Sequence, residues 1–357
     1  MAVGYARTAR DVAFTLEVKS PKVFENIFLN NGVLVLMGAN GRVKIVKGGN
    51  KFDERTHLGQ NSNVDHRDRY AEIDNAFQNN VVTAQYGRAV IDGASPVNFV
   101  DQDENQGDAK IGTISLADFC LEELMNTFPN KVSDALMASS SAANGPVSIV
   151  EEIEATAYGS QTRTTGGIAR SSYPGTDRTK AWQTQYSNTS ADLAGAAGIA
   201  TVTQFGRKCG EGSAMDLQPD IMLTTDGVMS QASAAADVLR RFGVNDTLVK
   251  YRFDNIKIGN AALISDRNVP SASTTAGSGY MLNTNFMRIQ VLGGSKTKAS
   301  NSVKTIGDGA VSVPLQIGDP VEAETKLQYT IKAWLVYNLT FGALKYHGLM
   351  NNLVQTA

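Results

Sequence analysis

Apolar positions along the chain fall into short stretches divided by turn residues, with one long polar interruption. The first segment is mixed and polar, with a turn at Ser20-Pro21 and a short helix predicted near Val23–Phe28. Residues 33–37 are continuously apolar, and Asn40-Gly41 and the mostly alternating run Arg42–Lys47 follow. Asn-Gly is the preferred pair for a tight hairpin, whose central residues both need positive φ, so a hairpin turn is predicted there. Gly48-Gly49 then breaks the strand. Residues 50–80 are very polar, with few apolar side chains to anchor a core, and a strand pattern resumes at Val81–Ile91. Two strand-like stretches around a long polar excursion predict a protruding loop built on a β-ribbon; a loop this long in an ordered protein is usually functional or disordered.

The clearest helix signal follows. Ser115 can cap an N-terminus, with Asp118 three residues on, and Leu116, Phe119, Cys120, Leu124 and Phe128 recur at helical spacing. Val132, Leu136 and Met137 extend the stripe, and Pro129 should kink or divide the helix. A helix of about 23 residues would run about 35 Å. Further helices are predicted at Val147–Tyr158, Leu193–Phe205 and Gly227–Phe242. Asp220-Ile-Met-Leu-Thr-Thr reads as a buried strand, and further strands are predicted at Ile256–Ile258, Ala261–Ile264, Tyr280–Asn283 and Met287–Val291. Leu327–Phe341 is apolar and partly alternating, and suits a long strand pair that closes the core. The class is α+β.

Composition narrows the function. A chain of 357 residues exceeds what a single core usually supports, so one large or two intertwined domains are expected. Charged residues are 19%, below the roughly 25% of an average globular chain, which points to surface buried against other subunits. Net charge is −2, so no global basic excess exists to grip nucleic acid. Two cysteines, Cys120 and Cys209, make no disulfide framework. No membrane span and no signal peptide is expected.

Candidate chemistry is sparse. His57 and His66 lie in the polar loop beside Asp53, Glu54, Asp65 and Asp68. A hydrolase using His57, Asp65 and His66 with a metal is the sharpest enzymatic reading. The stretch has no HExxH-type or closed Cys/His spacing, so a solvated charged loop is the expectation. His347 reads as a packing or surface residue. The glycines of Gly38-Ala-Asn-Gly and Thr164-Thr-Gly-Gly-Ile read as turns, since neither has phosphate-loop spacing. Asp101, Asp103 and Glu104 read as a solvated turn, and Arg163, Arg170, Arg178, Arg207 and Lys208 are expected to pair between subunits. No catalytic residue, cofactor or metal is expected.

Four segments in order resemble the major capsid proteins of tailed bacteriophages, with the Hong Kong 97-type fold. They are the polar loop followed by a helix from about Ser115; Leu217-Gln-Pro-Asp-Ile-Met-Leu-Thr-Thr-Asp-Gly-Val-Met; the stretch from Tyr251-Arg-Phe-Asp to Asp266-Arg-Asn-Val-Pro; and Gly279-Tyr-Met-Leu-Asn-Thr-Asn-Phe-Met-Arg-Ile. The resemblance spans roughly residues 40–345. It implies an N-terminal arm over 1–41, an extended E-loop over 42–95, a P-domain with its spine helix over 96–145, an A-domain over 146–325 and C-terminal P-domain strands over 326–357.

The resemblance further implies a subunit that forms hexamers and pentamers of an icosahedral shell around double-stranded DNA. A separate scaffolding protein, a portal and a decoration protein are the implied partners, with assembly in the host cytoplasm, location in the virion capsid and no membrane. Encapsulin-type compartments share the fold and form the alternative. Lys47, Lys51, Asp53, Glu54, Arg55, Arg67, Asp68 and Arg69 are the expected inter-subunit contacts, since both signs of charge are available to pair. Lys44, Lys47 and Lys51 occupy the loop region where some members form covalent Lys–Asn links, yet no crosslink is expected. The loop from about Lys47 to Asn80 is expected to serve assembly and not folding of the subunit.

Overall fold

The computed structural model describes residues 32–59, 63–64, 66, 68–69, 72, 80–98, 127–128, 131–139, 144–173, 182–210, 215–239, 255–271, 273, 275–293, 305–306, 309–310, 316–317, 321–322 and 328–355. Two six-stranded sheets organise them.

The first sheet is built on one long strand, β17 (Gln328–Phe341). Its alternate residues Tyr329, Ile331, Ala333, Leu335, Tyr337, Leu339 and Phe341 are buried, the period-2 pattern of a sheet with one face on the core. Strand β4 (Ala89–Asn98) pairs antiparallel with it from Gln328↔Asn98 to Tyr337↔Ala89. On its other side β12 (Met287–Leu292) pairs antiparallel, from Met287↔Phe341 to Val291↔Tyr337. Strand β1 (Val43–Val46) then runs parallel to β12. Between β12 and β17, the short strands β13 (Thr305–Ile306) and β14 (Gly309–Ala310) pair with each other. Strands β15 (Gln316–Ile317) and β16 (Val321–Glu322) each pair antiparallel with β17. The predicted long strand pair is thus a strand shared by several partners.

The second sheet places six strands side by side in the order β7 (Gln185–Ser187), β18 (Gly348–Val354), β11 (Ala276–Leu282), β8 (Ile221–Thr224), β10 (Ala261–Ser265) and β9 (Ile256–Ile258). All four residues of β8 are buried, as its unbroken apolar run requires of a strand covered on both faces. Ile221 and Leu223 face the larger core, which also holds Phe128, Val132 and Leu136 of the predicted helical stripe. Met222 faces a smaller core with Val202, Phe205 and Cys209 of the helix Ala196–Cys209 and Val228 and Met229 of the helix Asp226–Leu239. The second helix follows β8 and precedes β10, which lies parallel to β8, as a crossover connection requires. Helix Leu193–Phe205 is therefore displaced toward the C-terminus, and Val147–Tyr158 is helical only over Ile149–Glu152.

Two expectations need correction. Residues Gly32–Ala39 form a helix, not a strand leading into a hairpin. Asn40-Gly41 ends that helix: Gly41 has φ +65°, its N–H donates to Gly38 O at 3.0 Å, and Arg42 N–H donates to Met37 O at 2.7 Å. That bond pair is a Schellman cap, which uses the same left-handed glycine a hairpin would. Sheet membership does not follow chain order: β12 belongs to the first sheet, and β18 enters the second beside β11 and β7. The second concerns the polar loop, whose base is part of the core. Strand β2 (Phe52–His57) pairs antiparallel with β3 (Val81–Tyr86). Its inward face buries Phe52, Glu54 and Thr56, with Leu58 just beyond. The start of the spine helix at Ser115, the kink at Pro129, Cys120, the 101–104 acidic turn and the Val23–Phe28 helix lie outside the described residues.

Phe52→Ala should therefore cost about 3–5 kcal/mol, the usual loss for a fully buried aromatic. Asp53→Ala, beside it on the solvent face, should stay within about 0.5 kcal/mol. Chemical denaturation of both variants measures this; a Phe52→Ala loss below about 1 kcal/mol would mean the ribbon base does not belong to the core.

Candidate assembly surface

The β2–β3 ribbon has two unlike faces, because successive side chains of a strand point to opposite sides. The outward face carries Asp53, Arg55 and His57 opposite Gln85, Thr83 and Val81. All six are exposed, and Val81 is the one large apolar side chain among them. Lys51, also exposed, reaches Gln85 Oε1 at 3.3 Å. Lys47 is exposed where β1 gives way to the ribbon. Asp68 and Arg69 are exposed beyond β2, and the Asp68 carboxylate accepts from the Arg69 N–H at 2.6 Å. Arg67 and Asp65 lie outside the described residues. His57 and His66 are exposed, and among the described residues no group of three or more His, Cys, Asp or Glu side chains converges as a metal site would.

Among the described residues of the expected contact set, Glu54 alone is buried. Its carboxylate turns inward, accepting from Arg288 Nη1 at 2.6 Å and from Gln290 Nε2 at 3.1 Å. Thr56 Oγ1 donates to Gly342 O at 2.8 Å, and the Tyr86 hydroxyl donates to Phe341 O at 3.1 Å and accepts from Phe341 N–H at 3.2 Å. At the ribbon's root Arg88 donates to Gly48 O at 2.6 Å and lies 5.4 Å over the Phe52 ring. The base is fixed by polar contacts on every side.

Arg170 also departs from its expected inter-subunit role. It is fully buried and pairs with Glu152 at 2.7 Å within the chain. Burial pushes the Glu152 carboxyl up, and the adjacent Arg170 guanidinium opposes that rise. Arg163 likewise pairs with Glu151 and Glu152 in its own chain. Arg207 and Lys208 are exposed, and Arg178 lies outside the described residues.

Two of the four recognised segments meet in space. Asp220, just ahead of β8, accepts from the Thr284 N–H at 2.9 Å and from the Thr284 hydroxyl. Burial pushes the Asp220 carboxyl up, and these bonds counter it. Asn283 Nδ2 donates to the carbonyls of Asp216 and Gln218 at 3.1 and 2.9 Å, and Asn40 Nδ2 donates to Thr284 Oγ1 at 2.9 Å. The Leu-Asn-Thr pattern is thus a lock joining the two sheets. His347, fully buried, closes it: its Nδ1 accepts from the Asn283 N–H at 3.2 Å, and its ring meets Phe341 edge-on. Its Nε2 has no hydrogen-bond partner among the described residues. Among those residues, too, no helix is long and apolar enough to cross a membrane.

Burial pushes His347 down to about 3 from its ordinary 6.5. The folded chain holds the ring neutral, while the unfolded chain takes up a proton below pH 6.5. Its contribution is complete above that pH and is lost as pH falls toward 3. At pH 5.5 the loss is about 1.4 kcal/mol. Unfolding free energies of the parent chain and His347→Gln, compared at pH 7.5 and 5.5, should show a steeper acid loss in the parent by about that amount; equal slopes would contradict it.

No protein-family model and no curated protein matches the chain. Solved structures do. The chain is similar to a subunit of the cyanophage A-1(L) capsid asymmetric unit, at TM-score 0.60 and 17% identity, over 90% of this chain and 93% of that one. It is similar to an encapsulin complex from Synechococcus elongatus, at TM-score 0.53 and 8% identity, over 92% and 89%. It is also similar to the capsid of the Myoviridae phage XM1, at TM-score 0.50 and 9% identity, over 90% and 92%. Together with the four ordered segments of the sequence, these likenesses show that the chain has the Hong Kong 97-type capsid fold over nine-tenths of its length.

Proposed function

We propose that the chain is a major capsid protein, a structural and non-catalytic subunit of a tailed-phage shell. Copies associate as hexamers and pentamers, close into an icosahedral particle in the host cytoplasm and enclose double-stranded DNA without reading its sequence. A separate scaffolding protein, a portal and a decoration protein are the partners of this reading, and the virion capsid is its location. The observation that carries it is coverage: the shared fold takes up about nine-tenths of this chain and of the cyanophage subunit.

The ribbon is the proposed inter-subunit arm, with Lys47, Lys51, Asp53, Arg55, Arg67, Asp68 and Arg69 as contacts. Residues Gln60–Gln78 add many polar groups, and ordering costs roughly 1–2 kcal/mol per residue, which a neighbour's surface can offset. Exposed ion pairs contribute only about 0–1 kcal/mol each, so many weak contacts act together. An encapsulin-type compartment is the second reading, favoured by the Synechococcus likeness but with the lower TM-score.

Light scattering and negative-stain microscopy of the purified protein, with scaffold present, test this. Large closed particles containing DNA are expected; particles filled with a protein cargo would favour the compartment, and a stable monomer at every concentration would sink both. Replacing residues 60–79 by a short Gly/Ser linker should leave thermal unfolding close to that of the parent and prevent closure. Raising salt should weaken assembly more than the fold, because exposed pairs are screened first.

A further inference from the structure

The ribbon has a second support that neither sheet supplies. Strands β5 (Thr164–Thr165) and β6 (Ile168–Ala169) form a tight hairpin whose turn residues, Gly166 and Gly167, have φ +58° and +77°. Such a two-residue turn takes positive φ at both positions. Gly166 O accepts from the Gln85 N–H of β3 at 2.8 Å. The approach is close: a Cβ at Gly166 would lie 2.8 Å from Ala84 Cβ and 3.0 Å from Tyr86 Cζ, whereas one at Gly167 would meet nothing within 4 Å.

The stem of this hairpin is anchored in the buried charges. Arg170 directly follows β6. Its Nη2 donates to Glu152 Oε2 and Glu152 O at 2.7 and 2.6 Å, its Nη1 to Gln161 Oε1 at 3.1 Å, and its Nε to Thr165 Oγ1 at 3.1 Å. The Thr165 hydroxyl donates in turn to Glu152, and Trp182 Nε1 donates to Thr165 O at 3.3 Å.

We infer that the Thr164–Ala169 hairpin is a brace that sets the angle of the ribbon, and that Arg170 and Glu152 are its positioning residues. Thr165 is held by the buried pair, and Gly166, its neighbour, bears on Ala84 and Tyr86. Movement of the pair therefore moves the turn against the ribbon, while Tyr86 passes the constraint to Phe341 at the end of β17. A buried ion pair is weak evidence for net stability, because desolvation opposes the attraction; fixing one geometry is the role that suits it. The use of that angle in shell closure rests on the proposed function; the mechanical coupling does not.

Hydrogen exchange of the full chain tests the coupling through the Gln85 amide. Gly166→Ala and Gly167→Ala share the strain of a left-handed φ, but only the first collides with the ribbon. Exchange at Gln85 should rise about tenfold or more in Gly166→Ala and less than about threefold in Gly167→Ala. Equal acceleration in both, or none in either, would overturn the brace. Glu152→Gln leaves the turn sequence intact and provides a second route: Gln85 should again exchange faster, and acceleration confined to the amides around Arg170 would overturn the role of the pair. The parent chain's assembly is scored separately, so a failure to form shells leaves this result standing.

Discussion

The alternation of strand β17 is the constraint on which the other parts depend. Its 14 residues place Tyr329, Ile331, Leu335, Tyr337 and Phe341 on one face. A slip of one residue would turn all of them outward, so the apolar pattern fixes the register with β4 and β12. Asn338 extends the constraint sideways: its Nδ2 donates to Gly87 O at 2.6 Å, and its Oδ1 accepts from the Val147 N–H at 2.7 Å. At the strand's end, Phe341 and Gly342 receive Tyr86 and Thr56 of the ribbon. One strand thus holds the first sheet, the root of the ribbon and the approach to the Ile149–Glu152 helix in a single frame.

Buried polar groups do the joining where apolar packing cannot specify an angle. Glu54 with Arg288 and Gln290, Asp220 with Thr284, and Arg170 with Glu152 each bridge elements apart in sequence. Removing either partner of the Arg170–Glu152 pair leaves a buried charge uncompensated and is strongly destabilising. The outward ribbon face, with Asp53, Arg55 and Thr83, has no such burial within the subunit. This contrast divides the ribbon into a base that belongs to the subunit and an outer surface open to a neighbour.

Much of the fold was legible because periodicity reports burial. Strand Ile256–Ile258 is observed over the residues expected, β8 is the buried apolar run expected, and the stripe Phe128, Val132, Leu136 is buried. The apolar run at 33–37 misled because a short unbroken run fits either a helix or a strand. The burial of Val33, Leu36 and Met37, spaced three and four apart, is the helical signal within it. The base of the ribbon was read as too polar for a core because Glu54 and Thr56 occupy inward positions. Their partners, Arg288, Gln290 and Gly342, lie more than 230 residues away, and no local pattern announces them. Arg170 misled in the same way: an arginine in a polar stretch reads as surface until Glu152, Thr165 and Gln161 are seen around it.

On the proposed reading, the chain is a shell subunit whose ribbon base is held within its own chain and whose outer surface engages a neighbour. A side-chain-resolution reconstruction of assembled particles measures this directly. The predicted result is that Phe52, Glu54 and Tyr86 keep their partners within the chain, while Asp53, Arg55 and the residues between β2 and β3 lie against an adjacent subunit. Particles in which that outer face meets only solvent, or in which Glu54 leaves Arg288 to pair with a neighbour, would contradict it.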